Sequence, residues 1–107
     1  MAYDEALAAR IRGLVSREAG VEEKKMFGGL AFLVGGNMAV AASGQGGLLV
    51  RVDPHESARL VETTPAEEMV MRGRPMAGWL RVDPPDAEVA EWVRRGVAYA
   101  RTLPPKA

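Results

Sequence analysis

Between Lys25 and Val52 the chain carries four short apolar runs, Lys25–Phe27, Leu30–Val34, Met38–Ala42 and Leu48–Val52, separated by glycines, Asn37 and Ser43. Runs of this length are too short for stable helices, and the gaps between them are too short for crossover connections. They predict consecutive antiparallel strands. The "GGN" at Gly35–Asn37 offers the positive backbone angles that a two- or three-residue hairpin needs, and "SGQGG" at Ser43–Gly47 predicts a looser turn. A meander of this kind has one face to bury, so the rest of the chain has to cover it.

The flanking segments have a different period. From Asp4 to Ala19, Leu7, Ile11, Leu14, Val15 and Glu18 keep the three-and-four spacing of a helix, and Gly20 supplies a stop. Asp53, Pro54 and Glu56 form a helix start that predicts a short helix to Glu62. Glu68–Met71 and Trp79–Val82 read as two further strands around an Arg72–Pro75 turn, and Asp83–Asp86 as the cap of a last helix. In that helix Val89, Trp92, Val93, Gly96, Val97, Ala100 and Leu103 share a face opposite Glu88, Glu91, Arg94, Arg95 and Arg101. The expected fold is α+β, a two-layer antiparallel sheet with helices on one face, in the order α-β-β-β-β-α-β-β-α over a single domain of residues 1–107.

Charge narrows the function classes. Fourteen basic residues balance fourteen acidic ones, so no net field draws the chain to nucleic acid or to an anionic membrane. The segment from Met69 to Ala107 holds seven basic residues against four acidic, but three of the basic ones lie on the last helix, where they serve to solvate a face. The chain has no cysteine, which removes disulfides, thiolate metal sites and cysteine nucleophiles and fits a reducing cytoplasm. The N-terminus lacks the pattern of a signal peptide, and no run is long enough to span a bilayer. The expected location is cytoplasmic, with no membrane partner.

Five motifs, "KKMFGG" at Lys24–Gly29, "GNM" at Gly36–Met38, "LLVRV" at Leu48–Val52, "GRPMAGW" at Gly73–Trp79 and "LPPK" at Leu103–Lys106, resemble in order and spacing the TfoX/Sxy N-terminal domain family. The resemblance covers nearly the whole chain. It implies a sheet with helices packed as in secretion-chaperone-like domains, and a stand-alone member without the second, helical domain of the bacterial competence regulators. It also implies a partner of the transcription machinery rather than an enzyme.

The residues themselves offer little chemistry. His55 is the sole histidine and sits at a helix start beside Glu56 and Ser57, neighbours that do not face it on a helix. One histidine with no cysteine leaves only a carboxylate-rich metal site, and Glu22, Glu23, Glu67 and Glu68 read as solvating pairs. The glycine stretches lack the phosphate-binding patterns. No catalytic residue, metal or cofactor is expected.

"RGRP" at Arg72–Pro75 is the core of a DNA minor-groove hook, but its flanks are apolar and strand-like where a hook needs a flexible basic segment. It reads as a hairpin turn with Arg72 and Arg74 extending from the tip. Gly28 and Gly29, next to Phe27, mark a bulge or sharp bend, or a bare backbone that a ligand approaches.

Strand alternation places Leu33, Leu49, Arg51, Trp79 and Arg81 on the sheet face away from the helices, a mixture typical of an interface centre. Packing of Trp79 under the Thr63–Ala66 connection is the alternative. The leading expectation is a non-catalytic regulatory or protein-interaction module that self-associates as a homodimer through this face. The second is a small-ligand-binding or minor enzymatic domain using Phe27–Gly29 with Arg51, Arg72 or Arg74. Direct DNA binding through the Arg72–Pro75 turn is the third.

Overall fold

The computed structural model describes residues 3–26 and 28–105. Helix α1 (Glu5–Val15) is followed by strands β1 (Val21–Met26), β2 (Gly29–Val34), β3 (Asn37–Ala42) and β4 (Leu48–Arg51). Then come helix α2 (Pro54–Thr63), strands β5 (Glu67–Met71) and β6 (Arg74–Val82), and helix α3 (Asp86–Thr102). The six strands form one sheet in the order β1-β2-β3-β4-β6-β5, with every neighbouring pair antiparallel. Class and element order are those the sequence predicts.

The helical layer covers one face through the expected alternation. Leu30, Phe32 and Val34 of β2, Leu48 and Val50 of β4, and Leu80 and Val82 of β6 are buried against Ile11, Leu60, Val89, Trp92, Val93 and Val97. Burying this much aliphatic and aromatic surface is the main favourable term in folding. Gly96 brings α3 against β3: a Cβ there would strike the Ala39 carbonyl oxygen and come within 2.7 Å of Val40 Cγ1. At the far end of α3, the Asn37 side chain, itself buried, donates to the Pro104 carbonyl at 2.9 Å and holds the C-terminal segment against the start of β3.

Several boundaries differ from expectation. Helix α1 ends at Val15 rather than Ala19, with the Ser16 hydroxyl donating to the Gly13 carbonyl at its C-terminus. The capping reading holds for α2, where Asp53 accepts from the His55 amide at 2.9 Å. It fails for α3, whose N-cap is Pro85 with no side-chain cap. Strand β1 begins at Val21, four residues earlier than the apolar run, because an edge strand tolerates the charged Glu22–Lys25 stretch. There Arg12 of α1 grips Glu23 through Nε and Nη2 at 2.6 and 2.8 Å. This hydrogen bonding holds the Glu23 carboxyl below its ordinary range and raises Arg12.

The Arg72–Pro75 connection is tighter than a four-residue turn. Met71 pairs with Arg74, leaving Arg72 and Gly73 as the two central residues, both at positive φ (54° and 77°), the signature of a type I′ hairpin. Pro75 sits opposite Val70 in the next, non-hydrogen-bonded register position, so its missing N–H costs no ladder bond. Because β-branched residues are strained at positive φ, Gly73→Val is expected to lower stability by about 1 kcal/mol or more. Arg72 is the only non-glycine residue at positive φ among those described, and Arg72→Asn should change stability in the opposite direction by up to about 1 kcal/mol. Urea denaturation of the two variants checks both signs, and destabilisation by Arg72→Asn would refute the turn assignment.

Candidate functional site

Two irregularities in the sheet shape its second face. Between Phe32 and Leu33 the register to β3 slips, so that Phe32 opposes Val40 while Leu33 opposes Met38. The extra residue, Ala39, goes to the core and Met38 is turned to the second face, where simple alternation would not put it. The other slip lies between Glu68 and Val70, where Met69 of β5 faces the Met76–Trp79 stretch of β6. Beyond Trp79, the Gly78 carbonyl still accepts from the Val52 amide at 2.8 Å, and only Arg74 and Pro75 are in register with β5, so it is the tip of the β5–β6 hairpin that projects past β4 as a two-stranded arm.

The arm and the sheet enclose a trough of about 690 Å³. Its floor is small: Ala31 and Ala41 lie directly opposite each other on β2 and β3, and Leu49 opposes Ala41 from β4. Large side chains here would fill the space. Its walls are flexible and apolar, with Met26, Met38, Met69 and Met76 supplying four of the six methionines in the chain. Thioether side chains adapt to irregular partners, which suits a binding surface better than a fixed core.

Trp79 and Arg51 face each other across β6 and β4, and the Arg51 guanidinium stacks 4.6 Å from the indole centroid. The Tyr99 ring of α3 lies 6.0 Å from the same group. Both Arg51 and Trp79 are half-buried. Among the described residues Arg51 makes no ion pair or hydrogen bond, so its ring contacts fix the plane of the guanidinium and leave its edge donors unused. Arg81 is different. Its Nη2 donates to the Gly46 and Gln45 carbonyls at 3.0 and 3.3 Å, which ties the Ser43–Gly47 turn to β6. It is a positioning residue that closes one end of the trough.

Of the residues singled out from sequence, Gly29, Leu33, Leu49, Arg51, Arg72, Trp79 and Arg81 all border this trough. Arg74 is exposed at the base of the hairpin tip, and Phe27 lies outside the described residues. Gly28 is exposed in the β1–β2 turn. The bare backbone of Gly29 is occupied by the chain itself, since a Cβ there would meet the Ala42 carbonyl oxygen and lie 3.0 Å from the Gly44 amide. The methionines were missed because two of them reach the face only through register slips that alternation cannot foresee. Glu67 and Glu68 also border the trough.

The remaining candidates are scattered. His55 is exposed at the start of α2, and the nearby Ser57 hydroxyl is spent on the Pro54 carbonyl at 3.0 Å. No three His, Asp or Glu side chains converge as metal ligands among the described residues, and no helix described is long and apolar enough to cross a membrane.

The model of the TfoX N-terminal domain matches residues 14–100. The chain belongs to the TfoX N-terminal domain family. No curated protein and no solved structure matches it. The matched span takes in all six strands, α2 and most of α3, so the trough, the Arg51–Trp79 stack and the β5–β6 arm all lie within the TfoX N-terminal domain.

Proposed function

We propose that this TfoX N-terminal domain is a non-catalytic regulatory module that acts by protein contact, and that the trough face is its contact surface, including for a second copy of itself. Membership in the family supports a regulatory, competence-related module at the family level. The observation that carries the contact surface is the Arg51–Trp79 stack set in a concave apolar face on the side of the sheet opposite the helices. Tryptophan and arginine dominate interface energetics when surrounded by apolar side chains that exclude water. A twofold contact through Leu33, Leu49 and Trp79 would be isologous, the apolar wall of each copy meeting that of the other.

Sedimentation of the wild-type chain is expected to show a concentration-dependent dimer. Trp79→Glu should return it to monomer by removing the indole from the centre of the contact. A wild-type monomer at high concentration refutes the self-association, and a dimer indifferent to Trp79→Glu moves the contact off this face.

DNA binding through the Arg72–Pro75 tip is the weaker reading. A minor-groove hook works as an extended flexible segment, whereas Arg72 and Gly73 here close a two-residue turn at the end of a paired hairpin.

A further inference from the structure

A guanidinium stacked on an indole, half-buried and without an acidic partner, is an unusual thing to leave inside an apolar trough. Among the described residues Arg95 is paired with Glu91, and Arg81 donates through Nη2 to the turn carbonyls, although its buried Nε has no partner. Arg51 has only π-faces against it. Stacking occupies the flat faces of the group and leaves the planar fork of N–H donors, whose geometry matches a carboxylate bidentately.

The surroundings define the rest of the ligand. Leu33, Met38, Leu49 and Met76 offer no hydrogen-bonding group, and the alanine floor leaves room for a slender body along the sheet. The acidic residues of the trough, Glu67 and Glu68, lie on β5 opposite Arg81 and Leu80, whereas Arg51 pairs with Trp79, farther along β6 toward the tip bearing Arg72. Arg51 and Arg72 therefore lie toward the tip end of the trough, whereas at the other end the carboxylates share their position with Arg81, which lies opposite Glu67. Its volume, about 690 Å³, falls within the range of small-molecule sites.

We propose that the trough binds an amphipathic monocarboxylate, with the carboxylate on the Arg51 fork and the aliphatic body along the methionine-lined sheet face. This goes beyond the protein-contact reading and does not depend on it. A carboxylate ligand and a second copy would occupy the same face, so binding is expected to dissociate any dimer the chain forms.

The test is calorimetric titration of the full chain with decanoate, decanol and decyltrimethylammonium as probes. Decanoate should bind. Decanol, with the same chain and no charge, should bind roughly tenfold more weakly, the equivalent of one lost charge-assisted contact, and the cation weaker still. Arg51→Gln should bring decanoate down to the affinity of decanol and leave decanol unchanged. The comparison of decanoate with decanol on the wild-type chain needs no variant, so it decides the matter even if Arg51→Gln folds poorly. Equal binding of the two, absence of decanoate binding, or a decanoate affinity unaffected by Arg51→Gln would each overturn the proposal. Because titration into a wild-type monomer is as informative as into a dimer, failure of self-association and failure of ligand binding are separately visible.

Discussion

Gly96→Ala is expected to destabilise the chain by about 3 kcal/mol, lowering its melting temperature by roughly 10–20 °C. Alanine is normally the better helix former, so propensity alone predicts the opposite sign. The added methyl group has nowhere to go, because it meets the Ala39 carbonyl and the Val40 side chain of the strand beneath. Relief requires α3 to lift from β3, and with it Trp92, Val93 and Val97 would lose their packing. Gly13→Ala is the matched control, since the Cβ direction at Gly13 in α1 meets nothing within 4 Å. That variant should stabilise by up to about 1 kcal/mol. Thermal denaturation followed by circular dichroism reads both, and an unchanged melting temperature for Gly96→Ala would mean that the helix does not approach the strand this closely.

Gly29→Ala is expected to cost about 2–3 kcal/mol, again through contact with backbone rather than with a side chain that can turn away. Its Cβ would press on the Ala42 carbonyl and the amide of Gly44, prying β2 from the end of β3 where the Ser43–Gly47 turn begins. Gly46→Ala makes the comparison, because its φ is 91° with open space around it, so only the left-handed strain of about 1 kcal/mol applies. Equal losses for the two variants, measured by chemical denaturation, would show that conformation rather than close approach governs Gly29.

The element order was legible because its signals are local. Glycine-bounded apolar runs mark β2, β3 and β4, Asp53 and Pro54 mark α2, and the spacing from Val89 to Ala100 marks the buried side of α3. The second face was legible where alternation is unbroken, at Leu49, Arg51, Trp79 and Arg81. What could not be read depends on partners distant in sequence. Ala39 and Met38 exchange faces through a slip against β2, and Met76 enters the trough because β6 carries more residues than β5 around Met69. The unpaired state of Arg51 is equally invisible, since it follows from which carboxylates the fold leaves out of reach. Two tip residues at positive φ were half-legible: Gly73 announces the turn, while Arg72 gives no hint that it shares the same backbone region.

The β5–β6 arm has a consequence for how the trough is entered. Four register pairs, Leu48–Val82 to Arg51–Trp79, anchor β6 to the rest of the sheet, and Val70 near the tip is 61% exposed. Leu80 and Val82 are locked into the core, so opening there requires unfolding the whole sheet. Gly78 is held as well, its carbonyl accepting from the Val52 amide at 2.8 Å, so the part of the arm without such an anchor is the tip, where Val70, Arg72, Arg74 and Pro75 are exposed. Its opening free energy therefore lies toward the low end of the scale for local unfolding. Hydrogen exchange at the tip of the arm is therefore expected to be faster than at Leu80 and Val82, so that the wall bearing Met69 and Met76 is the part of the cleft expected to adjust to an occupant.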